Sequence, residues 1–149
     1  MAIRNRLFSQ DIEIIIWTIC NKSSSLKALI NGGIYKEGFR PTNSKKEDVC
    51  ISTISLTQDN PQVGLFNINT YVKAKKQRIE GVDEFVPDSE KLSNISDTIR
   101  ELIETELLSE EFKDCSFNIS GQQTFENKDS TSKEFYQNIQ LQFIIPQNQ

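Results

Sequence analysis

Two stretches of this 149-residue chain repeat their apolar residues at helical spacing. In the first, Phe8, Ile12, Ile15, Ile16 and Ile19 fall on one face of a helix that Ser9 can cap and that runs to about Asn21. Its isoleucines are β-branched, so a strand is the rival assignment. The unbroken run Ile14-Ile15-Ile16 lacks the alternation of a half-buried strand and favours the helix. The second begins at Pro87-Asp88 and runs to about Leu108. Leu92, Ile95, Ile99, Leu102 and Ile103 form its apolar stripe, with Asp97, Arg100, Glu101 and Glu104 facing outward. Between them, residues 26–30 form a turn or short helix after Ser23-Ser24-Ser25. Asn31-Gly32-Gly33 is expected to end it, the glycines being free to take positive φ.

The remaining apolar runs have strand character. Ile34-Tyr35 starts a short extended segment, broken by Gly38 and by Arg40-Pro41, because Pro41 pushes Arg40 out of the α region. Residues 42–48 read as a polar surface loop. Residues 49–56 and 63–72 then read as a hairpin about the turn residues Asp59-Asn60-Pro61-Gln62. Apolar groups lie on both faces of these strands, the pattern of central strands covered on both sides. Two alternating strands close the chain. Cys115, Phe117 and Ile119 oppose Ser116, Asn118 and Ser120. Phe135, Ile139, Leu141, Phe143 and Ile145 oppose Asn138, Gln140 and Gln142. Each has one buried and one wet face, with a flexible connection over residues 126–133. The order predicts one α+β domain over residues 1–149, with a mainly antiparallel sheet and helices packed on one face. A charged loop at about residues 73–87 and a frayed tail after Pro146 complete the expectation.

Composition narrows the chemistry. A chain of this length buries about 68–70% of its unfolded surface and needs no staples. Net charge is −4, so no global positive field draws it to nucleic acid or anionic lipid, and no direct nucleic-acid binding is expected. Histidine is absent, which excludes the ordinary Ser-His-Asp and Cys-His nucleophile systems. Cys20, Cys50 and Cys115 are far apart and sit in apolar runs, so they are expected to be buried thiols of a reducing cytoplasm. Arg4 and Arg6 before residues 14–20 imitate a signal peptide. Asp11 and Glu13 interrupt that approach, no cleavage site follows, and the apolar run is too short to span a bilayer.

Three features of the sequence are candidate sites. Asp97, Glu101 and Glu104 share a helix face where an acid/base or metal site could form. A solvated face explains them, and no motif elsewhere completes such a site. Gly32-Gly33 lacks the surrounding pattern of a phosphate loop. The connector splits into a basic half, with Lys73, Lys75, Lys76 and Arg78, and an acidic half, with Glu80, Asp83 and Glu84. A head-to-tail ring needs two different, complementary patches on each subunit, and these seven residues are the candidate oligomer interface. The rival reading is that they pair within one subunit or solvate a loop. No catalytic, cofactor-binding or metal-ligating residue is assigned.

The order of short helix, Gly-Gly-Ile-Tyr, Arg-Pro, hairpin, long helix and hairpin resembles small tail-completion and tail-terminator proteins of tailed phages and prophages. The matching residues are Ile30-Asn31-Gly32-Gly33-Ile34-Tyr35, then Arg40-Pro41, then residues 49–56 and 64–72. The resemblance implies a structural, non-enzymatic protein without cofactors. It implies a ring homo-oligomer, often a hexamer, at the head-proximal end of the tail or in the neck, with other tail or neck proteins as partners. It also implies a setting in the bacterial cytoplasm during assembly and in the virion afterwards. The polar segment 36–48 and the Gln/Asn-rich ending depart from the family plan. Two other readings stay open: a cytoplasmic module that binds a protein or small ligand on its sheet without catalysis, and a carboxylate-dependent enzyme.

Overall fold

The computed structural model describes residues 9–109, 112–130 and 132–146. Phe8, the Arg4/Arg6 approach, the Ser9 side chain and the expected fraying beyond Pro146 lie outside the described residues. Three helices form: α1 (Ser9–Asn21), α2 (Ser24–Leu29) and α3 (Ser89–Leu107). Local caps set two of their starts. Ser23 Oγ accepts from Leu26 N–H at 3.1 Å, and an Asp88 carboxylate oxygen accepts from Lys91 N–H at 3.3 Å.

The main sheet has five strands: β1 (Ile34–Lys36), β2 (Asp48–Leu56), β3 (Gln62–Lys73), β6 (Ser116–Glu126) and β7 (Glu134–Ile145). Their spatial order is β1-β2-β3-β7-β6, and every pair is antiparallel except β1 with β2. Two further strands, β4 (Lys75–Ile79) and β5 (Val82–Val86), pair only with each other. The fold is thus α+β with a mostly antiparallel sheet, as the alternation of the chain implies.

α1 lies over β1 and β2, and α3 lies over β3 and β7. The layer between them is dry. Ile12 and Ile16 of α1, Ile95, Ile99 and Ile103 of α3, and Phe66, Ile68, Ile139 and Leu141 of the sheet are all fully buried. Phe66 and Phe143 meet edge to face at 6.0 Å, and each such side chain contributes about 1.5–3 kcal/mol of burial. In the α3 stripe Leu102 is only half-buried and Ser96 is fully buried, its Oγ donating to Gln137 Oε1 at 2.5 Å. Trp17 Nε1 donates to the Ile34 carbonyl at 2.8 Å and fixes α1 against the edge of the sheet.

Three expectations are corrected. First, β2 and β3 are central but are covered by helices on one face only. β3 alternates strictly between buried residues such as Phe66, Ile68 and Val72 and half-buried Asn67, Asn69 and Tyr71. The apolar groups on its second face, Val63 and Leu65, lie at one end of a face otherwise built from amides. Second, Gly32 and Gly33 do not adopt positive φ; only Gly38 and Gly81 do so among the glycines. α2 ends through Ile30 in extended conformation. Gly32 is needed for space instead, since a Cβ there would lie 2.0 Å from Asp48 Oδ1 and 2.3 Å from the Glu47 carbonyl oxygen. Third, the charged segment is not a loop. It is the β4–β5 hairpin, closed by Glu80 at φ 50° and Gly81 at φ 80°, the two positive φ values of a type I′ turn.

Candidate assembly surface

β3, Ala74 and β4 run on almost without a break, so β4 carries the chain out past the end of the main sheet. The hairpin it starts makes no extensive contact with any helix or with the other strands among the described residues. Five residues of strand reach about 16 Å. All of β4 is exposed, and so is β5 except for half-buried Val86. Three large apolar side chains are presented to water there: Ile79 at 44%, Val82 at 58% and Phe85 at 51% exposure. An isolated two-stranded hairpin is marginally stable in water. A projecting one with exposed apolar groups is a surface suited to a partner.

The seven candidate interface residues fall along this arm. Lys73 is the exposed last residue of β3, opposite Glu134. Lys75, Lys76 and Arg78 lie on β4, Glu80 is in the turn, and Asp83 and Glu84 lie on β5. The basic and acidic halves therefore face each other across one ladder. Lys76 and Arg78 approach Asp83 at 3.4 and 3.6 Å, and all three side chains are largely exposed. Such pairs contribute little and are screened by salt. The structure brings the two charged blocks together in one projecting arm rather than setting them on two sides of the molecule.

At the base of the arm lies an ionic node that sequence reasoning did not single out. Arg40 Nε donates to Asp48 Oδ2 at 3.0 Å, and its Nη1 and Nη2 donate to the two carboxylate oxygens of Glu134 at 3.1 and 3.3 Å. Asp48 and Glu134 are buried at the starts of β2 and β7. Asp48 also accepts from Gly33 N–H at 2.9 Å and from Ser44 Oγ at 2.5 Å, and Glu134 accepts from Asn127 Nδ2 at 2.6 Å. The Arg40 guanidinium lies 3.9 Å above the Tyr71 ring. Burial acts to lower its pKa, but the hydrogen bonds it donates to Glu134 and Asp48, with their negative charge, outweigh that and the net shift is upward. This node ties Arg40 of the segment between β1 and β2 to the starts of β2 and β7 and to Tyr71 of β3. The sequence shows Arg40-Pro41 as a strand breaker and as part of the resemblance, but not as an ionic centre, because both carboxylate partners are defined by the fold.

The face of the sheet away from the helices carries amides and rings. Asn138 Nδ2 bridges Asn67 Oδ1 at 2.8 Å and Asn69 Oδ1 at 2.7 Å. Tyr71, Tyr136 and Phe125 stack in a row across β3, β7 and β6, with centroid spacings of 5.2 and 5.5 Å. Cys50 belongs to this face and, like Cys115, is half-buried, while Cys20 is fully buried. Burial raises all three thiols, Cys20 and Cys50 to about 12, so none is a ready nucleophile.

Asp97, Glu101 and Glu104 are exposed on α3. No group of three or more His, Cys, Asp or Glu among the described residues is placed to hold a metal ion. No helix among them is long and apolar enough to cross a membrane. The chain matches no family model, and no curated protein matches it.

Proposed function

We propose that this chain is a structural assembly protein of a phage or prophage tail or neck, of the tail-terminator or head-tail connector kind. It acts by associating with copies of itself into a ring, and its further partners are other tail or neck proteins. The single observation that supports self-association is the projecting β4–β5 arm, which exposes Ile79, Val82 and Phe85 and is scarcely supported by its own subunit. An arm of this kind is ordered at little cost when a neighbour covers it. The tail or neck setting rests on the resemblance of residues 30–35, 40–41, 49–56 and 64–72. In this reading the protein works through surfaces and takes no cofactor.

Replacing residues 75–86 by a short Gly-Ser link tests the role of the arm. The arm lies outside the buried core, so the shortened chain is expected to keep its circular-dichroism spectrum and melting temperature. Its mass by light scattering is expected to fall to that of a monomer. Assembly that survives the replacement overturns the arm as the contact.

The open amide face favours a second reading, a module that binds a protein or small ligand across Asn67, Asn69, Asn138 and the Tyr71–Tyr136–Phe125 row. A monomeric wild-type protein would favour this reading over the first.

A further inference from the structure

We infer that the open edge of β6 receives strand β4 of a second copy of this chain, which extends the main sheet across the subunit boundary. This rests on the self-association reading and specifies its receiving surface.

The sheet has two edges. β1 is three residues long, too short to template another chain. β6 is eleven residues long, and among the described residues no strand pairs with it on the side away from β7. Soluble proteins blunt such edges with lysine, proline, bulges or a covering element. The sequence Ser-Phe-Asn-Ile-Ser-Gly-Gln-Gln-Thr-Phe-Glu contains no lysine and no proline. Its one irregularity is the bulge between Ile119 and Gly121, which leaves residues 121–126 in regular register with β7. The direction of the free groups follows from the ladder. Asn127 N–H donates to the Glu134 carbonyl at 3.0 Å. Alternation along an antiparallel pair then turns the N–H groups of Gln123 and Phe125 toward β7, and those of Gln122, Thr124 and Glu126 toward the open side.

Charge selects the occupant. Arg100 of α3 donates to Gln122 of β6 at 3.1 Å, so this shoulder of α3 overlooks the edge. Asp97 and Glu104, at i−3 and i+4 from Arg100, lie on the same shoulder and are exposed. Strand β4 has three cations in five residues, no described strand other than β5 pairs with it, and Lys76 and Arg78 share one of its faces. β4 therefore supplies both the main-chain partners that β6 lacks and the charge opposite to that of α3. A contact between two different surfaces of one chain repeats around a ring.

Two independent perturbations test the edge, read as association constants by sedimentation velocity. Thr124→Pro removes an outward N–H while leaving every bond to β7, a placement that edge strands tolerate. It is expected to leave a folded chain whose association is weaker by about tenfold or more. Asp97→Lys with Glu104→Lys, on an exposed helix face, is expected to weaken association by about tenfold, as is Lys76→Glu with Arg78→Glu. The four changes together are expected to recover most of the loss. If Thr124→Pro unfolds the chain, the charge exchange alone decides. If the arm replacement abolishes assembly while the β6 and α3 variants assemble normally, this receiving edge is wrong and the self-association reading stands. A wild type that never associates overturns both.

Discussion

Arg40→Ala is expected to lower folding stability by about 3–5 kcal/mol, the range for removing one partner of a buried charge cluster. The reason is what stays behind. The Asp48 and Glu134 side chains are 1% and 3% exposed, against 18% for Arg40, so the substitution strands two carboxylates where water reaches them poorly. Neutral donors from Gly33, Ser44 and Asn127 remain but cannot offset the charge. Stacking on Tyr71 is lost as well. Lysine is a poor substitute, because one ammonium cannot reproduce the fork that serves Asp48 through Nε and Glu134 through both terminal nitrogens. Urea unfolding of the wild type, Arg40→Ala and Arg40→Lys checks this. A loss below about 1 kcal/mol in the alanine variant would mean that the node is solvated and holds nothing together.

Gly32→Ala is expected to cost about 2–3 kcal/mol, near the upper end of ordinary overpacking. The new methyl would lie 2.0 Å from Asp48 Oδ1 and 2.3 Å from the backbone oxygen of Glu47. Neither can give way easily. The carboxylate is fixed by Arg40, Ser44 and Gly33, and the carbonyl belongs to the chain entering β2. Gly33→Ala makes a useful contrast, since its methyl would meet the Tyr35 ring at 2.5–3.0 Å, and that ring can turn aside on its own bonds. The ordering expected from chemical denaturation is therefore wild type, then Gly33→Ala, then Gly32→Ala as the least stable. Equal losses at both positions would argue for a general backbone requirement in place of contact with Asp48.

These two positions also mark where the sequence is readable and where it is not. The stripe of α3, the isoleucine face of α1 and the alternation of β7 are local patterns, and each corresponds to an element of the fold. The one-sided cover of β3 was harder to read. Leu65 and Tyr71 look like part of a second buried face, but periodicity does not reveal how many helices are available to cover it. Arg40 and Glu134 are 94 residues apart, so no spacing rule connects them. The double glycine looked like a helix stop because that is its common local meaning. At Gly32 the constraint comes from Asp48 at the start of β2, 16 positions further along the chain. The arm reads as a loop in sequence because its charge masks a two-residue turn. Ile79-Glu80-Gly81-Val82 lacks the asparagine or aspartate usual at the first turn position, yet Glu80 takes positive φ there. The seven charged residues stand out in the sequence, but not that Lys75, Lys76, Arg78, Asp83 and Glu84 lie on one ladder with Glu80 in its turn.

The position of the arm gives the account its direction. A core closed by α1 and α3 leaves β4, β5 and the outer edge of β6 as the longest stretches of strand with an open side among the described residues. The ionic node around Arg40 ties β2, β3 and β7 together where β3 passes into the arm. Rigidity at that junction is what a contact made through a projecting hairpin requires.

Native mass spectrometry of the 149-residue chain across a concentration series tests self-association most directly. The account predicts one closed species at a fixed integer multiple of the 17.1 kDa subunit, growing at the expense of monomer as concentration rises. A strict monomer at every concentration, or an open ladder of sizes with no preferred closure, would contradict it.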